Sequence, residues 1–162
     1  MAYTATIEEE KSAIALAYKN MLKNSYQTLS KEDKQLIRKA FDLAADAHKD
    51  QRRNSGEPYI FHPISVAKIV ANDIGLGAVS IAAALLHDVV EDTAYTLADI
   101  EQLFGETVAR IVNGLTKISH LKKDLNISVQ SENFRKMLLT LNDDVRVILI
   151  WIAFKITNAK NI

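Results

Sequence analysis

His87, Asp88, Glu91 and Asp92 close the run Ala82-Ala83-Ala84-Leu85-Leu86-His87-Asp88-Val89-Val90-Glu91-Asp92, so one imidazole and three carboxylates fall within six residues. On one continuous helix, His87 and Glu91 stand at i and i+4, as do Asp88 and Asp92, and all four leave the same side of the last turns. Alanine and leucine favour that helix. Acids at a helix C-terminus oppose its dipole unless a cation sits among them, and a divalent ion would remove the conflict. The competing reading is a buried helix whose polar end simply faces water.

A second imidazole, His62, precedes Pro63. Proline suits the first position of a helix, which puts His62 at the cap, a rigid place for a side chain. Neutral imidazoles with a carboxylate make a nitrogen/oxygen site suited to manganese, iron or zinc. Such an ion acidifies a water and neutralises charge on a phosphoryl oxygen. Glu91 and Asp92, one turn on, suit the orienting of ligands or the work of a general base. Between the helices lies the basic, turn-rich loop Gln51 to Glu57, in which Arg52, Arg53, Asn54 and Ser55 offer donors for phosphate or a planar base. A solvated charged loop is the alternative there. His48 reads as a helix-end or partly buried polar residue rather than a ligand.

The elements that carry these residues are helical throughout. Thr6 to Lys23 is amphipathic, with Ile14, Leu16, Ala17, Met21 and Leu22 as its apolar positions. Ser30 with Asp33 resembles a capping box for a helix to about Asp50 that buries Leu36, Ile37, Ala40, Phe41, Ala44 and Ala47. The helix begun at Pro63 should stop near Asp73, before Gly75 and Gly77. The alanine-rich helix runs from about Ala78 to Asp92. Thr96 with Asp99 opens a short helix that turns Ile100, Leu103 and Phe104 inward, and Gly105 ends it. Helical spacing returns from Glu106 to Ser119. His120 to Gln130 reads as a loop, Ser131 to Leu141 as a helix, and a last helix starts at Asp143 or Asp144. No strand alternation or repeat occurs, so the expected fold is all-α.

Lysine plus arginine and aspartate plus glutamate each total 20, and this neutral balance argues against a broad nucleic-acid surface while leaving room for a local basic pocket. Without cysteine, a metal must use His, Asp or Glu. The acidic N-terminus is not a signal peptide. The longest apolar run, Val147 to Phe154, falls far short of the ~20 residues that span a bilayer. A cytoplasmic protein with no membrane partner is expected.

His87-Asp88 resembles the signature of HD phosphohydrolases, and His87-Asp88-Val89-Val90-Glu91-Asp92 is similar to its form in the hydrolase domain of the RelA/SpoT homologues. Further segments resemble that family in the same order: Ser55-Gly56-Glu57-Pro58-Tyr59-Ile60 with His62-Pro63, Phe104-Gly105-Glu106, Gly114-Leu115-Thr116-Lys117, and Asn142 through Ile150. The resemblance covers roughly residues 30 to 150. It implies an HD-domain helical bundle, residues 1–162 being one such domain, that hydrolyses the 3′-pyrophosphate of ppGpp and pppGpp with manganese. It further implies that His62, His87 and Asp88 bind the metal and that Glu91 and Asp92 handle the attacking water. Arg53, Asn54 and Ser55 would hold the guanine nucleotide, Arg53 stacking on the base, with Asn54 where lysine is often found. A synthetase domain often follows in this family, and these 162 residues carry none.

The pattern breaks at the C-terminus. The family's last site helix reads approximately Ala-Asp-Arg-Leu-His-Asn-Met-Arg-Thr, against Ala153-Phe154-Lys155-Ile156-Thr157-Asn158-Ala159-Lys160-Asn161. The family's fourth metal ligand, an aspartate, falls on Phe154. Asn158 keeps a nucleotide-contacting asparagine, and Asn161 replaces a threonine. The chain then stops at Ile162, before further helices of the family. Two expectations follow: a ppGpp hydrolase, or a catalytically weak domain that binds guanine nucleotides for regulation.

Overall fold

The computed structural model describes residues 3–125 and 144–160. Helix α1 spans Ile7–Leu22, its first turn capped by the Thr6 hydroxyl, which accepts from the Glu9 amide at 3.1 Å. A short 3-10 turn, Tyr26–Thr28, leads to α2, Lys31–Ala47, where Ser30 and Asp33 close the expected capping box. Helix α2 ends at Ala47 rather than near Asp50, with His48 as its C-cap.

Helix α3, Phe61–Lys68, widens into a π-helical segment, Ile69–Ile74, and stops at Gly75, whose φ of +80° suits a residue without a Cβ. It begins two residues before Pro63, so His62 lies inside the first turn rather than at the cap. Proline is tolerated there because the amides of a helix's first turn have no partner within it.

Helix α4, Ala78–Leu86, is the centre of the molecule, buried at every residue but Val79 and packed against α2 and α3. Ile81, Leu85 and Leu86 are fully buried, each contributing roughly 1.5–3 kcal/mol. Ala82, Ala83 and Ala84 keep this helix slim, so its neighbours approach closely.

The alanine-rich helix does not run unbroken to Asp92. It turns at His87 and Asp88 and restarts as α5, Val89–Asp92. The His87 ring supplies a cause: its Nδ1 lies 2.6 Å from the Ala84 carbonyl oxygen, the acceptor that an unbroken helix would give to the Asp88 amide. The i, i+4 alignment expected for His87 with Glu91 and Asp88 with Asp92 on one helix is therefore replaced by a helix–turn–helix corner.

Helix α6, Leu97–Phe104, has the Thr96–Asp99 capping box and ends at Gly105, with φ of +96°. Ile100 and Phe104 are buried, but Leu103 remains 38% exposed, its carbonyl accepting from Lys39 Nζ at 2.5 Å. Helix α7, Glu106–Leu125, continues through His120, where a loop was expected. The expected helix over 131–141 and positions 126–130 of that loop lie outside the described residues. Helix α8, Val145–Lys160, starts where Asp144 Oδ1 accepts from the Arg146 amide at 3.0 Å, and it packs on α7, α3 and the π-helical segment. Among the described residues the sole strand-like feature is an isolated antiparallel bridge between Arg52 and Pro58. The all-α fold holds. No helix among the described residues is long and apolar enough to cross a membrane.

Candidate functional site

The corner between α4 and α5 brings His87 and Asp88 against the first turn of α3, where the amide of His62 donates to the Tyr59 carbonyl at 2.9 Å. All three side chains are buried, and their potential ligand atoms lie within 4.8 Å of one another. His87 Nε2 is 3.1 Å from Asp88 Oδ2, and His62 Nε2 is 3.7 Å from the same oxygen. The two imidazoles that the sequence held apart thus meet at one carboxylate.

Because His87 Nδ1 faces the Ala84 carbonyl, it is the donor to that oxygen, and Nε2 is turned toward Asp88. That Nε2 is buried without a hydrogen-bond partner, beside a carboxylate that offers lone pairs. An imidazole nitrogen and a carboxylate oxygen so placed are donor atoms that a cation would take in place of any proton between them. Burial, reinforced by neighbouring His87, lowers the His62 pKa to about 4, so its imidazole is neutral at physiological pH. Burial alone would push the Asp88 carboxyl up. His87, the Tyr59 hydroxyl donating at 2.6 Å and His62 outweigh it and hold Asp88 below the usual carboxylate range. A neutral His62 and an ionised Asp88 are protonation states that suit a first-row ion.

Phe154 of α8 occupies the remaining side. Its ring stands edge-on to His62 at 5.2 Å and to His87 at 5.1 Å between centroids. The residue aligned by resemblance with the family's fourth ligand does face this centre, and it presents carbon. Three donors fit a metal; α8 supplies no fourth.

A cavity of about 490 Å³ opens from this centre, lined among others by His87, Asp88, Glu91, Trp151, Phe154 and Asn158. The expected water-handling acid Glu91 and the expected nucleotide contact Asn158 therefore share one space with the metal candidates. Burial raises the Glu91 pKa, Asp88 adds to it, and the Ser119 hydroxyl opposes both. Asp92 adds its field to Glu91 and Tyr59, while its carbonyl accepts from Gln51 Nε2 at 3.0 Å. Arg53, Asn54 and Ser55 line a separate hollow of about 300 Å³ with Glu57, sharing no wall residue with the larger cavity. Arg53 is still near enough to the centre for its charge to help lower the His62 pKa.

Tyr59 was missed as a site residue, although it sits three positions before His62 and an aromatic hydroxyl at that spacing can reach a ligand's carboxylate. Trp151, the chain's single tryptophan, and Lys155 were also missed as cavity walls, because the apolar face of α8 reads as core. His48 is buried as a polar residue, its Nδ1 2.7 Å from Gln51 Oε1.

Residues 40–162 match the family model described as HD domain. The bifunctional (p)ppGpp synthase/hydrolase SpoT of Escherichia coli (strain K12) is 47% identical over 137 residues, which are 84% of this chain and 19% of the relative. A probable guanosine-3′,5′-bis(diphosphate) 3′-pyrophosphohydrolase of Synechocystis sp. is 46% identical over 127 residues, 78% of this chain and 17% of that protein. The chain thus spans about a fifth of the length of these curated relatives. Among solved structures, one described as a metazoan ortholog of SpoT that hydrolyzes ppGpp superposes with a TM-score of 0.62 at 29% identity, covering 82% of this chain and 71% of that one.

Proposed function

The chain belongs to the HD domain family, and from that premise we propose that it hydrolyses the 3′-pyrophosphate of ppGpp and pppGpp, releasing pyrophosphate and GDP or GTP in the alarmone turnover of the stringent response. The observation that carries this reading is the convergence of His62, His87 and Asp88 on one point at the wall of a cavity that also holds Glu91.

In this reading His62, His87 and Asp88 hold manganese, which when bound would neutralise phosphoryl charge and acidify a water. Tyr59 keeps the Asp88 carboxylate in place through its hydroxyl. The Glu91 carboxylate, made more basic by burial, takes a proton from water as the water oxygen attacks the 3′-linked phosphorus. Asp92, whose negative charge raises the Glu91 pKa further, acts with it on the attacking water. The phosphorus–oxygen bond to the ribose breaks, and the 3′ oxygen leaves as a hydroxyl with the proton that Glu91 took from the water. Arg53 stacks on guanine, Asn54 and Ser55 hold phosphate or ribose oxygens, and Asn158 touches the nucleotide from α8. Residues 1–162 act as one HD-type unit working in the cytoplasm.

Phe154 favours a second reading. With carbon at the fourth position the centre lacks one negative charge, so metal affinity and turnover both fall, and the chain would serve as a guanine-nucleotide-binding regulatory domain. Incubation with ppGpp and manganese, with nucleotides separated by chromatography, tests the first reading, for which GDP should appear. Calorimetric titration with GDP and ppGpp, with and without manganese, tests the second. Metal-independent binding without GDP formation would replace the hydrolase with the regulatory domain.

A further inference from the structure

The loop at residues 51–59 is closed by its own backbone: the Arg53 amide donates to the Glu57 carbonyl at 2.9 Å, the Gly56 amide to the Arg53 carbonyl at 2.8 Å, and the Tyr59 amide to the Gln51 carbonyl at 3.0 Å. Its tip, Arg53 to Gly56, has little apolar burial to hold it, the signature of a segment that opens locally. Two neighbouring side chains tie the loop down in opposite directions. Gln51 reaches the catalytic side, accepting from His48 and donating to the Asp92 carbonyl. Arg52 reaches the other way, to the N-terminal segment.

The second tie is more elaborate than a surface ion pair. The Arg52 guanidinium meets Glu10 with both terminal nitrogens, Nη2 donating to Oε1 at 3.1 Å and Nη1 donating to Oε2. Nη1 also reaches the Gly56 carbonyl at 3.3 Å, across the loop itself. The Tyr3 hydroxyl donates to Glu10 Oε2 at 2.7 Å. Glu10 is the acid of the run Glu8-Glu9-Glu10 that faces inward, and it is 8% exposed. Tyr3 is pressed onto the tip: a Cβ built on Gly56, at φ of +97°, would stand 2.8 Å from the Tyr3 Cβ. Exposed single pairs contribute little, but a forked pair on a buried carboxylate with a third donor is geometrically fixed.

We propose that Tyr3, Glu10 and Arg52 form a latch by which the segment leading into α1 positions the Arg53–Ser55 tip, so that these three act as positioning residues for the nucleotide. The inference rests on the reading that this tip takes the nucleotide. Holding the tip in place before binding removes an ordering cost that the ligand would otherwise bear, so the latch tightens nucleotide binding without touching the metal centre.

The test uses the whole chain with Glu10→Gln, Arg52→Gln, their double variant and Tyr3→Phe, the last removing one hydroxyl should the others fold poorly. Hydrogen exchange at the Arg53 and Gly56 amides, free of ligand, should rise about tenfold in either single variant while α4 amides stay protected. GDP and ppGpp should bind roughly three- to tenfold more weakly, with manganese affinity unchanged, and the double variant should be no worse than the poorer single one. Unchanged exchange at the two loop amides, or losses that simply add in the double variant, would overturn the latch. Arg53→Ala separates the underlying reading. If it leaves nucleotide affinity intact while Glu10→Gln still loosens the loop, the latch exists but the tip does not serve the nucleotide, and the positioning role falls.

Discussion

The two walls of the cavity are built on opposite principles. The α4–α5 corner turns His87 and Asp88 to one point, His62 joins them from α3, and the Tyr59 hydroxyl donates to the carboxylate. The α8 wall faces the same point with the Phe154 ring, and Trp151 lines the cavity beside it. One wall gathers donor atoms that could hold a cation, while the other sets an aromatic ring against them and brings Lys155 and Asn158 to the cavity further along α8. The two differ because the donors are placed by the α4–α5 corner and α3, and the ring by the packing of α8.

If the corner is the half that holds metal, damage there should be the most severe. Asp88→Asn keeps the shape, and the amide oxygen can still accept from Tyr59, yet the charge is gone. Manganese affinity should drop by roughly a hundredfold or more, read by titration of the quenching of Trp151 fluorescence. Equal affinity in this variant would remove the corner from the metal site.

Supplying the α8 wall with a donor is the next largest effect. Phe154→Asp should raise manganese affinity by about tenfold or more and increase ppGpp turnover. Without metal the same variant should melt at a lower temperature than the parent, since a second carboxylate faces Asp88 in a buried space. With manganese the order should reverse, because binding to the folded state alone stabilises it. A variant that melts lower under both conditions would show that α8 does not face the metal as inferred. Tyr59→Phe is milder: Asp88 loses a donor but keeps its charge, so manganese affinity should fall roughly tenfold and stability by about 1 kcal/mol, seen in chemical denaturation.

The contrast between the walls also explains what could be read from the chain before its structure. Caps were legible because Ser30 with Asp33 and Thr96 with Asp99 are local, their partners three residues away. The meeting of His62 with His87 was anticipated from their chemistry and strengthened by the resemblance, and it is set by how α3 packs on α4. The break at His87 was not legible. Alanine and leucine propensity argues for an uninterrupted helix, and nothing local announces that an imidazole will occupy the Ala84 carbonyl. Leu103 was misplaced because periodicity alone cannot tell the core from the edge of an apolar stripe. The Tyr59–Asp88 and Arg52–Glu10 pairings escaped for one physical reason: the partners lie 29 and 42 residues apart in sequence.

The smallest effect separates the fold from the site. Thr96 caps α6, its hydroxyl accepting from the Asp99 amide at 3.2 Å while Asp99 Oδ2 accepts from the Thr96 amide at 2.9 Å. Thr96→Ala removes one of these two bonds and should cost about 1 kcal/mol, measured by urea denaturation. Helix α6 packs on α7 and contributes no side chain to the cavity. Manganese and nucleotide affinities should therefore stay as in the parent chain. A loss of metal affinity comparable to that of Tyr59→Phe would mean that α6 transmits strain through α7 to Leu115 and Ser119 on the cavity wall, and that the two walls are not independently stabilised.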